Sequence, residues 1–111
     1  MRIVHGDVWL TDFGQPLGRE QGGLRPIVIL SGPALNDVPA GLVLAAPVTT
    51  TDRGWPSHVE IGPEAGLDKP SWAMVEQFRS LSVRRLRHRI GSVDEQALAR
   101  MGGALRHLMR P

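Results

Sequence analysis

Few side chains among these 111 residues can do chemistry, and their types exclude more than they allow. There is no cysteine, which removes disulfides, thiolate metal sites and a cysteine nucleophile. No H-E-x-x-H, paired Cys/His set or Asp-x-Asp cluster occurs, so neither a metal site nor a cofactor is expected. The phosphate-loop pattern G-x-x-x-x-G-K-[ST] and the nucleophile elbow G-x-S-x-G are absent too. His5, His58, His88 and His107 are scattered, and a scattered histidine is more often a surface or packing residue than a catalyst. What remains is a glycine-rich stretch running into Arg25-Pro26, and the consecutive threonines Thr49, Thr50 and Thr51. Taken alone, Arg25 reads as a surface arginine entering a strand, and Thr49 as an ordinary β-branched strand residue.

Charge adds a direction. Of 13 basic residues 12 are arginine, whose planar fork suits phosphate better than a lysine point charge does. Residues 1–77 hold 5 basic and 9 acidic side chains, whereas residues 78–111 hold 8 basic against 2 acidic. The C-terminal third therefore reads either as a face for a polyanion or an acidic protein, or as a solvated helical face. No apolar stretch approaches the roughly 20 residues that span a bilayer. The start has neither the charged segment nor the apolar run of a signal peptide, so a soluble, cytoplasmic protein is expected.

The elements that must hold these residues are short strands followed by a helix, in one domain over residues 1–111. Strands are predicted over 7–13, 26–31, 42–48, 58–61, 71–75 and 77–81, with residues 58–61 alternating as a half-exposed strand. Residues 14–24 contain four glycines and a proline and must be a loop, long enough to read as functional. Residues 32–41 connect strands with one helical turn near 34–36, and 51–57 form a polar loop carrying Trp55. Another helical turn is predicted over 83–86. Trp9 and Trp72 lie within strands and are assigned to the core. Near the end, Ser92 and Glu95 fit a capping box with Ser92 as N-cap, and Leu98, Met101, Leu105 and Leu108 form one apolar stripe. Gly102-Gly103 inside that helix reads either as a close approach of another backbone or as simple tolerance. Five to seven short strands with a terminal helix make a mainly β fold, a small barrel.

The pieces also resemble a known family. Gly18-x-Glu20-x-x-Gly23-x-Arg25-Pro26 is similar to the signature of the MazF/PemK toxins. The resemblance continues in order through His5-Gly6-Asp7-Val8-Trp9, Pro47-Val48-Thr49-Thr50, Ser57-His58-Val59-Glu60-Ile61, the stretch from Gly66 to Ala73 and that from Glu76 to Leu81. It implies an SH3-like small barrel with a C-terminal helix, paired as a homodimer. It implies metal-free, sequence-specific cutting of single-stranded RNA, in which the 2′-hydroxyl attacks the adjacent phosphate to leave 2′,3′-cyclic phosphate and 5′-hydroxyl ends. It also implies a MazE-like antitoxin partner with an acidic segment.

By the same resemblance Arg25 and Thr49 match the catalytic arginine and threonine. Glu20 and Gln77 match positions near bound RNA, and Thr50 stands beside Thr49 on the opposite face of a continuing strand. Trp55 is read either as a base-stacking residue or as packing for its loop or the dimer. The family usually has arginine where this chain has His5, a weaker phosphate contact near neutral pH. The connector after Ser31 is short. Two other readings stay open: a gyrase-binding toxin of the CcdB type on the same fold, and an inactive interaction module.

Overall fold

The computed structural model describes residues 2–14 and 23–111; the expectations placed on Gly18 and Glu20 lie outside them. The described residues form seven strands: β1 (Asp7–Asp12), β2 (Leu24–Ile29), β3 (Leu42–Thr49), β4 (His58–Ile61), β5 (Ser71–Met74), β6 (Arg79–Ser82) and β7 (Leu86–Ser92). A one-turn helix α1 (Pro33–Asn36) links β2 to β3, and α2 (Glu95–Leu108) ends the fold. All pairings are antiparallel, in the order β4-β5-β3-β2-β1-β7, with β6 also on β3. The sheet is mostly β with a C-terminal helix, as expected, and small-barrel-like without closing.

Period-two alternation sorts the strands onto two cores. Val8, Val28, Ala46 and Val48 pack with Ala97 and Met101 of α2. Their neighbours Trp9, Ile27, Ile29, Val43 and Ala45 pack on the other face with Leu81 and Leu86, helped by Ile3, Phe13 and Val83. Burial on both faces is why β2 and β3 read as unbroken apolar runs rather than alternating ones. Asp7, 4% exposed, joins the edges. Its Oδ2 accepts from Val4 N at 2.9 Å and from Trp9 Nε1 at 3.2 Å, and Oδ1 accepts from Arg89 Nε of β7 at 3.0 Å.

Several expectations are corrected. β7 was not foreseen: Arg87, His88 and Arg89 are exposed, and only Leu86 and Ile90 mark an inner face. Ser92 is therefore the last residue of β7, opposite Asp7, and not a cap. Asp94 caps α2 instead, its Oδ1 accepting from Ala97 N at 2.8 Å. Strand 58–61 is buried except at Glu60, because its His58 side chain finds a carboxylate inside. Gln77 ends a 3-10 turn (Val75–Gln77) and does not begin a strand. Among the described residues no other backbone lies within 4 Å of a Cβ placed at Gly102 or Gly103. The stripe on α2 holds, with Leu98, Met101 and Leu105 against the core, although Leu108 is exposed. No helix among the described residues is long and apolar enough to cross a membrane.

One close approach has a measurable consequence. β7 passes over the 3-10 turn Pro63–Ala65, and a Cβ at Gly91 would lie 2.6 Å from the Glu64 carbonyl oxygen and 2.7 Å from the Ala65 carbonyl carbon. Gly66, at φ +78°, faces Ile90 O just as closely from the other side. Neither neighbour is a flexible side chain that can move aside. Gly91→Ala is expected to destabilise the fold by about 1–3 kcal/mol, measured by chemical denaturation.

Candidate active site

Arg25 and Thr49 come together because β2 and β3 are neighbours. Their ladder runs from Ile29↔Ala45 to Ile27↔Pro47, and the same register continued two residues sets Arg25 opposite Thr49. Beyond that point β3 exchanges partners. Its far edge pairs with β6 over Leu42 to Ala45, then with β5 through Val48↔Ala73 and Thr49↔Trp72. A groove of about 410 Å³ opens at this junction, lined by Arg25, Pro26, Val48, the three threonines, Leu67, Asp68, Lys69 and Ser71.

Arg25 is exposed, so its guanidinium can meet solvent or a ligand without a desolvated approach. Thr49 is half-buried, and its Oγ1 accepts from Thr51 N at 3.1 Å. A lone pair occupied in this way leaves the hydroxyl hydrogen to be donated. β3 stops at Thr49 and the chain bends, so strand alternation does not continue. Thr50 and Thr51 therefore line the same groove as Thr49, instead of Thr50 facing away. Lys69 and Ser71 were not singled out in the sequence. Ser71 is buried and its Oγ donates to Lys69 O at 2.8 Å, which ties the chain's one lysine to the groove wall. The signal available for Lys69 was its rarity. Two cations and one anion, Asp68, in a groove with several hydroxyls can seat a phosphodiester and donate to its oxygens.

The remaining candidates lie elsewhere. Trp55 is 48% exposed on its loop, with Arg53 Cζ 5.6 Å above its ring and the His58 ring 4.9 Å away. Gln77 is exposed, its Nε2 3.4 Å from Glu76 Oε2 and 3.6 Å from Met74 Sδ. Both stand near the Met74 end of β5, and the groove stands at the Ser71 end, roughly 10 Å along the strand. His5 is in neither place: it is exposed, with Nδ1 3.0 Å from Leu30 O. Trp72, assigned to the core from sequence, is half-buried and lines a second cavity of about 490 Å³ with Pro56, His58, Glu60, Arg100 and His107. The described residues contain no group of three or more metal-ligating side chains.

Two carboxyls are held below their ordinary range. At Asp12, a hydrogen bond from Gly14 N is the largest cause, followed by Arg87. Burial pushes Glu76 up, but hydrogen bonds from Ser57 Oγ at 2.8 Å and His58 Nε2 at 3.0 Å, with one from its own backbone and the attraction of His58, outweigh it in sum.

A small antiparallel β protein with a terminal helix and a cationic, hydroxyl-lined groove is a recognisable class. The family of PemK-like, MazF-like toxins of type II toxin–antitoxin systems matches residues 5–109. Endoribonuclease MazF of Staphylococcus epidermidis is 34% identical over 105 residues, spanning 93% of this chain and 88% of its own. Among solved structures, a MazE–MazF complex from Deinococcus radiodurans is 31% identical with a TM-score of 0.82, covering 98% of this chain and 96% of that one. An endoribonuclease in complex with its cognate antitoxin, from a mycobacterial species, is 26% identical with a TM-score of 0.81, covering 98% and 97%. The chain belongs to the PemK-like, MazF-like toxin family.

The Glu76 shift sets a pH dependence. A folded value below 4.5 means that the Glu76 contribution to stability is complete above about pH 4.5 and is lost as pH falls through the folded value. The melting temperature of the wild type should exceed that of Glu76→Gln near neutral pH, and the gap should narrow as pH drops below 4.5.

Proposed function

We propose that this chain is a metal-independent endoribonuclease toxin that cuts single-stranded RNA at a short sequence. The observation that carries the proposal is the juxtaposition of Arg25 and Thr49 at one groove, in a chain whose relatives include a named endoribonuclease. The substrate's own 2′-oxygen attacks the adjacent phosphorus and loses its proton. The bond to the 5′-oxygen breaks, and that oxygen gains a proton. The products are a 2′,3′-cyclic phosphate and a 5′-hydroxyl. The protein needs no nucleophile of its own. Its task is to align the phosphate and stabilise charge on the phosphorane.

Arg25 donates to the non-bridging oxygens and helps the proton move. Thr49 orients the scissile phosphate through its hydroxyl, with Thr50 beside it. Glu20 accepts from a base or positions Arg25. Gln77 reads a base edge, which an unpaired nucleotide exposes. Trp55 offers a ring on which a base stacks, and His5 is a further substrate contact. The protein works as a homodimer in the cytoplasm and is neutralised by a MazE-like antitoxin. That partner is supported by relatives solved with antitoxins and by the arginine-rich C-terminal third, which would steer an acidic segment.

Cleavage of a mixed RNA pool in EDTA tests the reading. Wild-type protein should leave 5′-hydroxyl ends. Arg25→Ala should lower the rate by about 10²–10³-fold, the size seen when one transition-state donor is removed, and Thr49→Val should lower it by less. Full activity of folded Arg25→Ala would remove the role assigned to the groove. No cutting by the wild type, with a DNA-damage response on expression, would move the protein to the gyrase-binding class.

A further inference from the structure

Five side chains at the Met74 end of β5 form one connected unit. The His58 side chain is 1% exposed and lies between the Trp55 ring, tilted by 47°, and Glu76. The Glu76 carboxylate uses both oxygens: Oε1 accepts from Ser57 Oγ at 2.8 Å, and Oε2 lies 3.0 Å from His58 Nε2. That same Oε2 is the oxygen within 3.4 Å of Gln77 Nε2. Backbone bonds tie the same pieces together, from His58 N to Trp55 O at 3.0 Å and from Val75 N to Ser57 O at 3.1 Å.

His58 is an expensive way to fill this space. With Nε2 donating to an ionised Glu76, Nδ1 is a buried polar atom with no partner among the described residues. An apolar ring of the same size would fill the site without that penalty. The imidazole contributes one thing a phenyl ring does not, a donor to Glu76. Glu76 in turn engages the NH₂ end of the Gln77 amide, which leaves the carbonyl oxygen as the group available to a ligand.

We propose that the Ser57–Glu76–His58 network is a positioning device for base recognition. It fixes the Trp55 ring relative to Gln77, and it holds the Gln77 amide with its carbonyl oxygen outward. The base read there is one that presents an N–H donor, an amino group or ring imino proton, to that oxygen. Ser57, Glu76 and His58 act through Trp55 and Gln77 without touching the reacting phosphate. The inference rests on the proposed RNA cleavage and on Gln77 as a base reader.

The test is a cleavage-site profile on a randomised RNA library, run with melting curves for every variant. Glu76→Gln frees the amide to flip and should lower discrimination at one nucleotide position by about tenfold, leaving the preference at other positions in place. Ser57→Ala, at a partly exposed loop position, is the milder change and should lower it in the same direction. His58→Phe should resemble Glu76→Gln. His58→Gln, whose amide can still donate to Glu76, should recover part of the discrimination. A folded Glu76→Gln and a folded Ser57→Ala that keep the wild-type profile, while Gln77→Ala alters it, would overturn the positioning role alone. Loss spread evenly over all positions in step with lowered melting temperature would overturn it as well, by showing a structural role only. An unchanged profile in Gln77→Ala removes the base reader itself. A wild-type protein that cuts no RNA removes the proposed function and this inference with it.

Discussion

β3 is the strand on which the rest of the structure depends. One edge pairs with β2, and the other is divided between β6 and β5. A strand can switch partners only where the first partner ends and the second begins, and here that lies between Ala45 and Val48. The switch turns the sheet into two connected parts, which share one core, while the opposite face of β1, β2 and β3 packs a second. It also leaves a gap beside the end of β3, into which Arg25 and three threonines open. The groove is thus a product of strand pairing. Its geometry rests on rigid elements on both sides, which is the arrangement a site needs when alignment of a phosphate is the main source of rate.

The two halves of the candidate machinery are held by different means. The groove relies on backbone: a ladder, a bend and an amide bound to Thr49 Oγ1. The Trp55 and Gln77 end relies on a side-chain network centred on Glu76. Backbone positions persist through substitution, whereas a side-chain network is altered by changing any member. Under the proposed function, the groups that face the phosphate sit on the frame, and those that face a base sit on replaceable side chains.

Much of this was legible in the sequence. Apolar runs at β2 and β3, the α2 stripe and the glycine-rich stretch each followed from a local rule. Arg25 and Thr49 were marked by motif, and their neighbourhood became visible only in the pairing of β2 with β3. What was not legible depended on partners distant in sequence. β7 carries three exposed polar residues in a row and shows its strand character only against β1. Asp94 and Ser92 are both good caps, and the choice was made by the pairing of Ser92 with Asp7. His58 read as a surface or packing residue, and the choice was not legible because Glu76, 18 positions away, is invisible to a window of four residues. Trp72 faces a cavity in place of the core for a similar reason, since Arg100, Ala104 and His107 of α2, which line the same cavity, are distant in sequence.

β7 also ends the strand order, so its outer edge has no strand partner among the described residues. An open edge offers unpaired amides and carbonyls to any other chain, and proteins that accumulate in quantity commonly polymerise through such edges. This one carries Arg87, His88 and Arg89 outward, and its pairing with β1 is broken by irregularities at two places. Long charged side chains on an edge disfavour a second copy laid alongside, and bulges spoil the flatness that stacking requires. The arginines that give the C-terminal third its positive charge therefore have a colloidal consequence. They stand on the open edge, where long charged side chains oppose the edge-to-edge pairing by which sheets aggregate.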